Sequence, residues 1–385
     1  MTVPGRKYRV RYRLWRNSLR LRHEQDQYRQ KFQQLGLSLP NDNSLKSEFK
    51  TMFHHLQAKP KGLLNIIAVY HHYNWENYSL KPALEKFGTV RLYDWFDEFN
   101  HNDRKWRQSG KFQMNKALVE KINSWMTESR ADLIFMYVSG ALVEPETMAA
   151  LRHHGVPLVN LALNDKEHFV SKIRGGRAFG ARDICRYFDL CWTSTEDALI
   201  KYCVEGARPI YLPEGANPEI HKPYDVKKTV DVSFVGQCYG NRSAVIDELS
   251  RQGIAVETHG IGWPNGPLAM EDMVKLYSRS KINLGFGGVE GHRDTFCLKG
   301  RDFEIPMSGG LYLTENHPEL SFAFRPGEEI LTYTGIDDLI QKIQYYLRHP
   351  DEAEVIRKKG RNRALHEHTW EARFDKVFRL LGILE

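Results

Sequence analysis

At 385 residues the chain exceeds what one hydrophobic core usually organises, so two domains are expected. Hydrophobic residues make up 41% and charged residues 27%, which excludes a disordered, collagen-like or low-complexity chain. Five cysteines with no C-x-x-C pair (Cys185, Cys191, Cys203, Cys238 and Cys297) argue against a disulfide framework or a zinc site and fit a reducing compartment. The start of the chain is densely charged, unlike a signal peptide, and apolar runs such as residues 133–138 are too short to span a bilayer. A cytoplasmic protein is the expectation.

The net charge of +7 is concentrated at one end. Residues 1–31 hold ten Lys or Arg against two Asp or Glu, a net of +8 that leaves the remainder at −1. Tyr8, Tyr12, Trp15 and Leu19 recur at spacings of four, three and four, and Arg9, Arg13, Arg16 and Arg20 follow beside them. The spacing predicts a basic amphipathic helix ending at Gly36, and a second short helical piece follows to about His55. Such a helix suits an anionic membrane surface on the inner face, or packing against the body or another copy in a homodimer; nucleic acid is the weaker match. Residues 1–56 form an extension; if its helix only places the protein, a chain begun near residue 57 should still fold, and if it packs on the body or a second copy, that chain should aggregate.

From Gly62 short apolar runs (LLNIIAVY, TVRLYDWF, ADLIFMYVSG, VPLVNLAL, LCWTST and RPIYLPEG) alternate with helix-compatible segments. A second series begins at VDVSFVG and continues through AVETHG, INLGFGG and GLYLTE. Short buried strands separated by helices predict parallel sheets covered on both faces. The fold class is therefore α/β, with two Rossmann-like domains over residues 57–218 and 219–365. The segment EGANPEIHKPYDVKKT joins them, and a helix over 366–385 returns to the first.

Two places could hold a phosphate. In SFVGQCYGNRSAVIDELSRQG, Gly236 and Gly240 allow close backbone approach, the next helix aims free N–H groups at the loop, and Arg242 adds charge. In LKGRDFEIPMSGGLYLTE, Lys299 and Arg301 precede Glu304, so a carboxylate could hold a ribose diol while the cations meet phosphates. An ordinary strand–Gly–helix turn and an intrahelical ion pair are the plain structural alternatives. In the first domain Asp165, in NDKEHF, and His72, in HHYNWENY, follow strands where a doubly wound sheet places its ligands. Either could deprotonate a hydroxyl. The histidines form no ligand constellation, so no metal cofactor is expected.

The run K-x-R-x-F-E-I-P-x-x-G-G-x-x-x-T-E, followed by FRPGEEILTY and by YLRHPDEAEVIRKKGRNRALHEHTWEARF, resembles the group 1 glycosyltransferases, in particular their CgeB-like branch. The resemblance covers about 150 residues, from Val232 to Leu381, and is looser in the first domain. It implies the GT-B architecture and transfer of a sugar from a nucleotide-diphosphate donor to a glycan or lipid-linked acceptor, without metal. It assigns Glu304 to the nucleotide ribose, Arg242 and Lys299 to the diphosphate, and Gly260 and Trp263 to the surroundings of the base. The family's first acid, which touches the transferred sugar, falls here on Phe296. Two rivals share the fold: a nucleotide-sugar epimerase, and a nucleotide-binding relative without turnover.

Overall fold

The computed structural model describes residues 4–385, apart from the side chains of residues 4–8 and Val10, so the place of Tyr8 in the expected stripe lies outside the described residues. The chain divides into two compact units, one holding residues up to Arg22 with Glu214–Trp370, the other holding His23–Pro213 with Glu371–Glu385.

In the unit built around His23–Pro213, the six apolar runs become the strands of one sheet. They are β1 (Leu64–Val69), β2 (Gly88–Tyr93), β3 (Leu133–Met136), β4 (Leu158–Ala162) and, after a small antiparallel hairpin of β5 (Ile173–Arg174) and β6 (Arg177–Ala178), β7 (Leu190–Thr193) and β8 (Pro209–Tyr211). All the pairings in the sheet are parallel, in the order β2-β1-β3-β4-β7-β8. β3 and β7 are buried at every position, as strands covered by helices on both faces must be. The helix Trp370–Leu381 closes this core, its Phe374 ring 5.2 Å from Phe135 and 5.4 Å from Trp192.

The other unit repeats the plan with β9 (Val230–Val235), β10 (Val256–His259), β11 (Ser280–Leu284), β12 (Tyr312–Glu315) and β13 (Leu331–Tyr333), in the order β10-β9-β11-β12-β13. Again every pairing is parallel. Its core comprises Val232, Phe234, Ile282, Leu284, Leu311 and Leu313 with the buried faces of the covering helices. In both sheets the strand order reverses direction beside the first strand, between β1 and β3 and between β9 and β11. A doubly wound sheet opens its ligand crevice at the carboxyl ends of such a pair.

The N-terminal helix, Pro4–Gln34, ends before Gly36, whose φ of 61° stops it. Asn41 then starts the helix Asp42–Met52 with a capping box, its Oδ1 accepting from Ser44 N at 2.9 Å. The contacts of the helix favour its packing on the body of the chain over a purely placing role. Lys201 is fully buried, and its ammonium meets Glu24 Oε1 at 2.8 Å and the Lys166 carbonyl at 3.1 Å. Tyr28 is 7% exposed, donates to Glu205 Oε1 at 2.8 Å and packs edge-on to Phe169. Deleting Glu24 would strand a buried ammonium, a loss on the order of 3–5 kcal/mol. Among the described residues, no helix is long and apolar enough to cross a membrane.

Candidate functional site

Beyond β9 the chain passes through a glycine loop into the helix Arg242–Arg251. Gly236 has φ 156°, and a Cβ there would lie 2.5 Å from Nη2 of Arg301. At Gly260, φ 129°, a Cβ would lie 2.3 Å from the Gly236 carbonyl. Only glycine at both positions lets the loops after β9 and β10 touch and Arg301 reach in beside them. Trp263 Nε1 donates to the Gly236 carbonyl at 2.8 Å, so the indole holds the loop by its edge.

Arg242 is set inward. It is 2% exposed, and its guanidinium donates to the Gln237 carbonyl and to the Tyr239 hydroxyl, both at 2.7 Å. The guanidinium carbon lies 3.7 Å from the Tyr239 ring centroid and 5.4 Å from that of Phe234. Burial first, and the neighbouring Arg301 second, push its pKa down to about 10. Arg301 stands 5.3 Å from the same Phe234 ring and donates to the Phe286 carbonyl at 3.4 Å. Two guanidinium groups thus crowd the carboxyl end of β9.

Lys299 precedes the helix Gly300–Met307, where Asp302 Oδ2 accepts from the Lys299 backbone N–H at 2.6 Å. Asp302 also accepts from the Tyr312 hydroxyl. The Lys299 ammonium lies 3.3 Å from Cys297 Sγ. Glu304 faces back across Gly300, where a Cβ would come within 3.1 Å of Glu304 Oε1 and 3.3 Å of Glu214 Oε2. Glu304 and Glu214 therefore come together over Gly300 at the start of this helix, within the electrostatic reach of Lys299 and Arg301. Glu214 is pushed up to about 8 by burial, then by the carboxylates of Glu304 and Asp302, while Lys299 and Arg301 pull the other way. His221, fully buried, has Nε2 3.8 Å from Glu304 Oε1, and burial holds it below the usual histidine range against the pull of Glu304.

Glu214 and His221 escaped the sequence reading. Both lie in YLPEGANPEIHKPY, where a carboxylate between Pro213 and Gly215 is the one available signal. Phe296 stacks on His317 with ring planes 7° apart.

The other unit carries a cavity of about 600 Å³ at the carboxyl ends of β1, β3 and β4, the switch point of its sheet. Tyr73, Trp75, Tyr137, Leu142, Leu161 and Phe179 give it apolar walls. Asp165 forms part of its lining, 3% exposed, with Oδ2 accepting from the Tyr202 hydroxyl at 2.8 Å. Burial pushes Asp165 up to about 7, against hydrogen bonds from Thr193 and Tyr202 and the charge of Lys201. Glu76, another lining residue, accepts three backbone N–H bonds on one oxygen, from Tyr73, Asn74 and Trp75 at 2.9–3.1 Å. His72 stands outside this lining, with Nδ1 accepting from Asn77 N at 3.3 Å. Among the described residues, no group of three or more His, Cys, Asp or Glu could hold a metal ion.

Residues 242–379 match a family described as glycosyl transferase-like. No curated protein matches the chain. The fold is similar to that of a sucrose-phosphate synthase from Thermosynechococcus elongatus, with TM-score 0.60 at 13% identity over 83% of this chain and 99% of that one. It is similar to a glycosyltransferase from Rickettsia africae, with TM-score 0.58 at 12% identity over 84% and 98%. It is also similar to Anabaena HepE, solved with UDP and glucose, with TM-score 0.57 at 10% identity over 82% and 100%. The fold is thus the two-domain, GT-B kind, over most of the chain and nearly all of each of these proteins.

Proposed function

We propose that the protein is a glycosyltransferase of group 1, of the CgeB-like branch, moving a sugar from a nucleotide-diphosphate donor to a glycan or lipid-linked acceptor without a metal. One observation carries this reading: at the start of the helix Gly300–Met307, inside the stretch that matches the glycosyl transferase-like family, Glu304 meets Glu214 over Gly300 within the electrostatic reach of Lys299 and Arg301. Glu304 would accept from the ribose hydroxyls. Lys299, Arg301 and the free amides of the glycine loop would face the diphosphate and stabilise its charge as it leaves. Arg242 would serve from behind, holding the loop's shape. The cavity lined by Asp165 would take the acceptor.

The test is a melting screen with UDP, GDP, ADP, CDP and dTDP, repeated with a chelator. A nucleotide at a hundred times its Kd should stabilise the fold by about 2.7 kcal/mol. The shift should persist without divalent ions. If no nucleotide diphosphate raises the melting temperature, the proposal fails.

The stacking of Phe296 on His317, where the family has an acid, favours a second reading: a nucleotide-binding relative without turnover. Release of diphosphate from a nucleotide sugar separates the two. Interconversion of sugars with donor alone would point to an epimerase instead.

The exposed stripe Tyr12, Trp15 and Leu19, set among arginines, supports a peripheral place on an anionic membrane face, on the cytoplasmic side.

A further inference from the structure

One wall of the cavity lined by Asp165 carries positive charge that the chain itself does not answer. After the short helix Asp165–His168 the chain passes Ser171, a lining residue whose φ of 59° turns it into the hairpin of β5 and β6. The hairpin is held at its base. Gly140 N donates to the Gly180 carbonyl at 2.8 Å, and Ala141 N donates to the Phe179 carbonyl and Phe179 N to that of Lys172, both at 2.9 Å. Lys172 and Phe179 both line the cavity. Two guanidinium groups close on the Phe179 ring. Arg174, from the hairpin, lies 5.7 Å from its centroid, and Arg107, from the turn Trp106–Gly110, lies 6.0 Å from it.

These cations differ from their neighbour Arg177. Arg174 and Arg177 stand opposite each other in the hairpin register, an arrangement of like charges that costs stability. Arg177 is neutralised, with Glu146 Oε1 at 2.7 Å and Glu144 Oε2 at 2.5 Å. Among the described residues, no carboxylate pairs with Lys172, Arg174 or Arg107, none of their side chains donates a hydrogen bond within the chain, and all three are exposed. The carboxylates of the lining are spent elsewhere: Glu76 holds three backbone N–H groups and Asp165 accepts from Tyr202, both being buried. A guanidinium set on an aromatic ring keeps N–H groups for a phosphate or a carboxylate, which it matches in shape. The aromatic walls of the same cavity offer flat faces to a sugar ring.

We propose that the acceptor is an anionic sugar, one carrying a phosphate or a carboxylate, and that Lys172, Arg174 and Arg107 bind that anionic group. This rests on the transferase reading, with this cavity as the acceptor site. The sugar lies against the aromatic walls, and its charged group meets the three cations around Phe179. A neutral sugar would use the walls and leave the cations unanswered, so charge is what selects the acceptor.

The experiment uses the full chain, saturated with the best nucleotide of the melting screen so that phosphate cannot occupy the donor site. Glucose 6-phosphate, glucuronic acid and glucose are titrated into it at low salt by calorimetry. At least one anionic sugar should bind about tenfold or more tighter than glucose, the worth of one charge-assisted hydrogen bond, and which of the two binds tighter tells phosphate from carboxylate. Arg174→Gln with Lys172→Gln should erase that preference and Arg107→Gln should reduce it, with nucleotide affinity unchanged. Lys358→Gln, a loss of one exposed cation in the other unit, should leave it as it was. Should the paired change melt early, Arg174→Gln alone is read for the same loss. Failure of both anionic sugars to bind, equal binding of charged and neutral sugars, or a preference that survives the changes overturns the proposal, and the transferase reading then stands on its bound nucleotide. If no nucleotide binds, that reading fails and the acceptor role falls with it. The same titrations without nucleotide then decide the anion site by itself: a preference lost in the variants keeps it, and no preference ends it.

Discussion

The Nε2 of His221 faces the Glu304 carboxylate across 3.8 Å, from a ring that is wholly buried and has no hydrogen-bond partner on that nitrogen. Its Nδ1 accepts from Asn217 N at 3.2 Å, so the neutral ring carries its proton on Nε2, toward Glu304. With burial holding His221 below the usual histidine range, Glu304 has a polarised N–H nearby but no neutralising cation on that side. A carboxylate so placed keeps acceptor capacity for a ligand. Glu304→Ala should therefore weaken nucleotide affinity about ten- to a hundredfold, the worth of one charge-assisted hydrogen bond. Calorimetry with the best nucleotide from the melting screen reads this, and unchanged affinity removes Glu304 from the site.

Glu214 gives the site a pH dependence whose sign follows from its neighbours. Burial and the carboxylates of Glu304 and Asp302 push it up to about 8, against 4.5 for an ordinary glutamate. Between those two values the folded chain holds a proton that the unfolded chain has lost. Stability contributed by this group is therefore complete below pH 4.5 and declines as pH rises toward 8. Glu214→Gln cannot lose that proton. Its melting temperature should fall less than the wild type's between pH 6 and 9, and parallel curves for the two proteins would show that the proton is not held at Glu214.

Arg242 shows how a basic residue in a phosphate-like loop can serve the loop itself. Its donors go to Gln237 and Tyr239, and aromatic rings cover its faces. Arg242→Ala should cost about 2–4 kcal/mol of stability, since it removes a buried side chain that makes two hydrogen bonds and packs on aromatic rings, and so opens a void. Arg242→Lys should recover little, because an ammonium cannot bridge the same pair. Urea unfolding measures both; a drop in turnover with unchanged stability would return Arg242 to direct contact with the diphosphate.

The strands of the first sheet were readable because each is a short, continuous apolar run between polar segments, and all six runs became strands. β13 was missed as a strand: it has three residues, LTY, directly after the acidic turn GEEI. The hairpin β5–β6 gave no signal either, being four residues of which Ile173, Arg174 and Arg177 are exposed. In the site, Gly236 and Glu304 could be picked out because glycine loops and a motif carboxylate are local patterns. Glu214 and His221 depend on a meeting with Glu304, 90 and 83 positions further along the chain, and periodicity carries no record of that. The inward turn of Arg242 was equally invisible, because nothing in GNRS says which way its guanidinium points.

The N-terminal helix does two jobs along its length, and they can be separated. Tyr12, Trp15 and Leu19 are 60%, 47% and 38% exposed, so the apolar stripe faces away from its own chain. Arg9, Arg11, Arg13, Arg16, Arg20 and Arg22 are exposed around it. On the inward side Ser18 is buried, donating to the Arg293 carbonyl at 2.8 Å and accepting from Arg293 N at 2.7 Å, and Asn17 donates to the Gly291 carbonyl at 2.9 Å. The helix is thus anchored by one face and presents aromatic and basic residues on the other. Each arginine near an anionic surface adds on the order of 1 kcal/mol, so several suffice for reversible attachment. That attraction should fade between 0.1 M and 1 M salt, as the Debye length shrinks from about 10 Å to about 3 Å. Because a chain begun near residue 57 would lose Glu24 from Lys201, the test is by point change instead. Tyr12→Ser with Trp15→Ser, and separately Arg13→Glu with Arg16→Glu, should release the protein from phosphatidylserine vesicles at low salt without lowering its melting temperature. If the unaltered protein stays in the supernatant with those vesicles, and the aromatic changes convert a dimer to a monomer in the ultracentrifuge, the stripe belongs to a second copy of the chain.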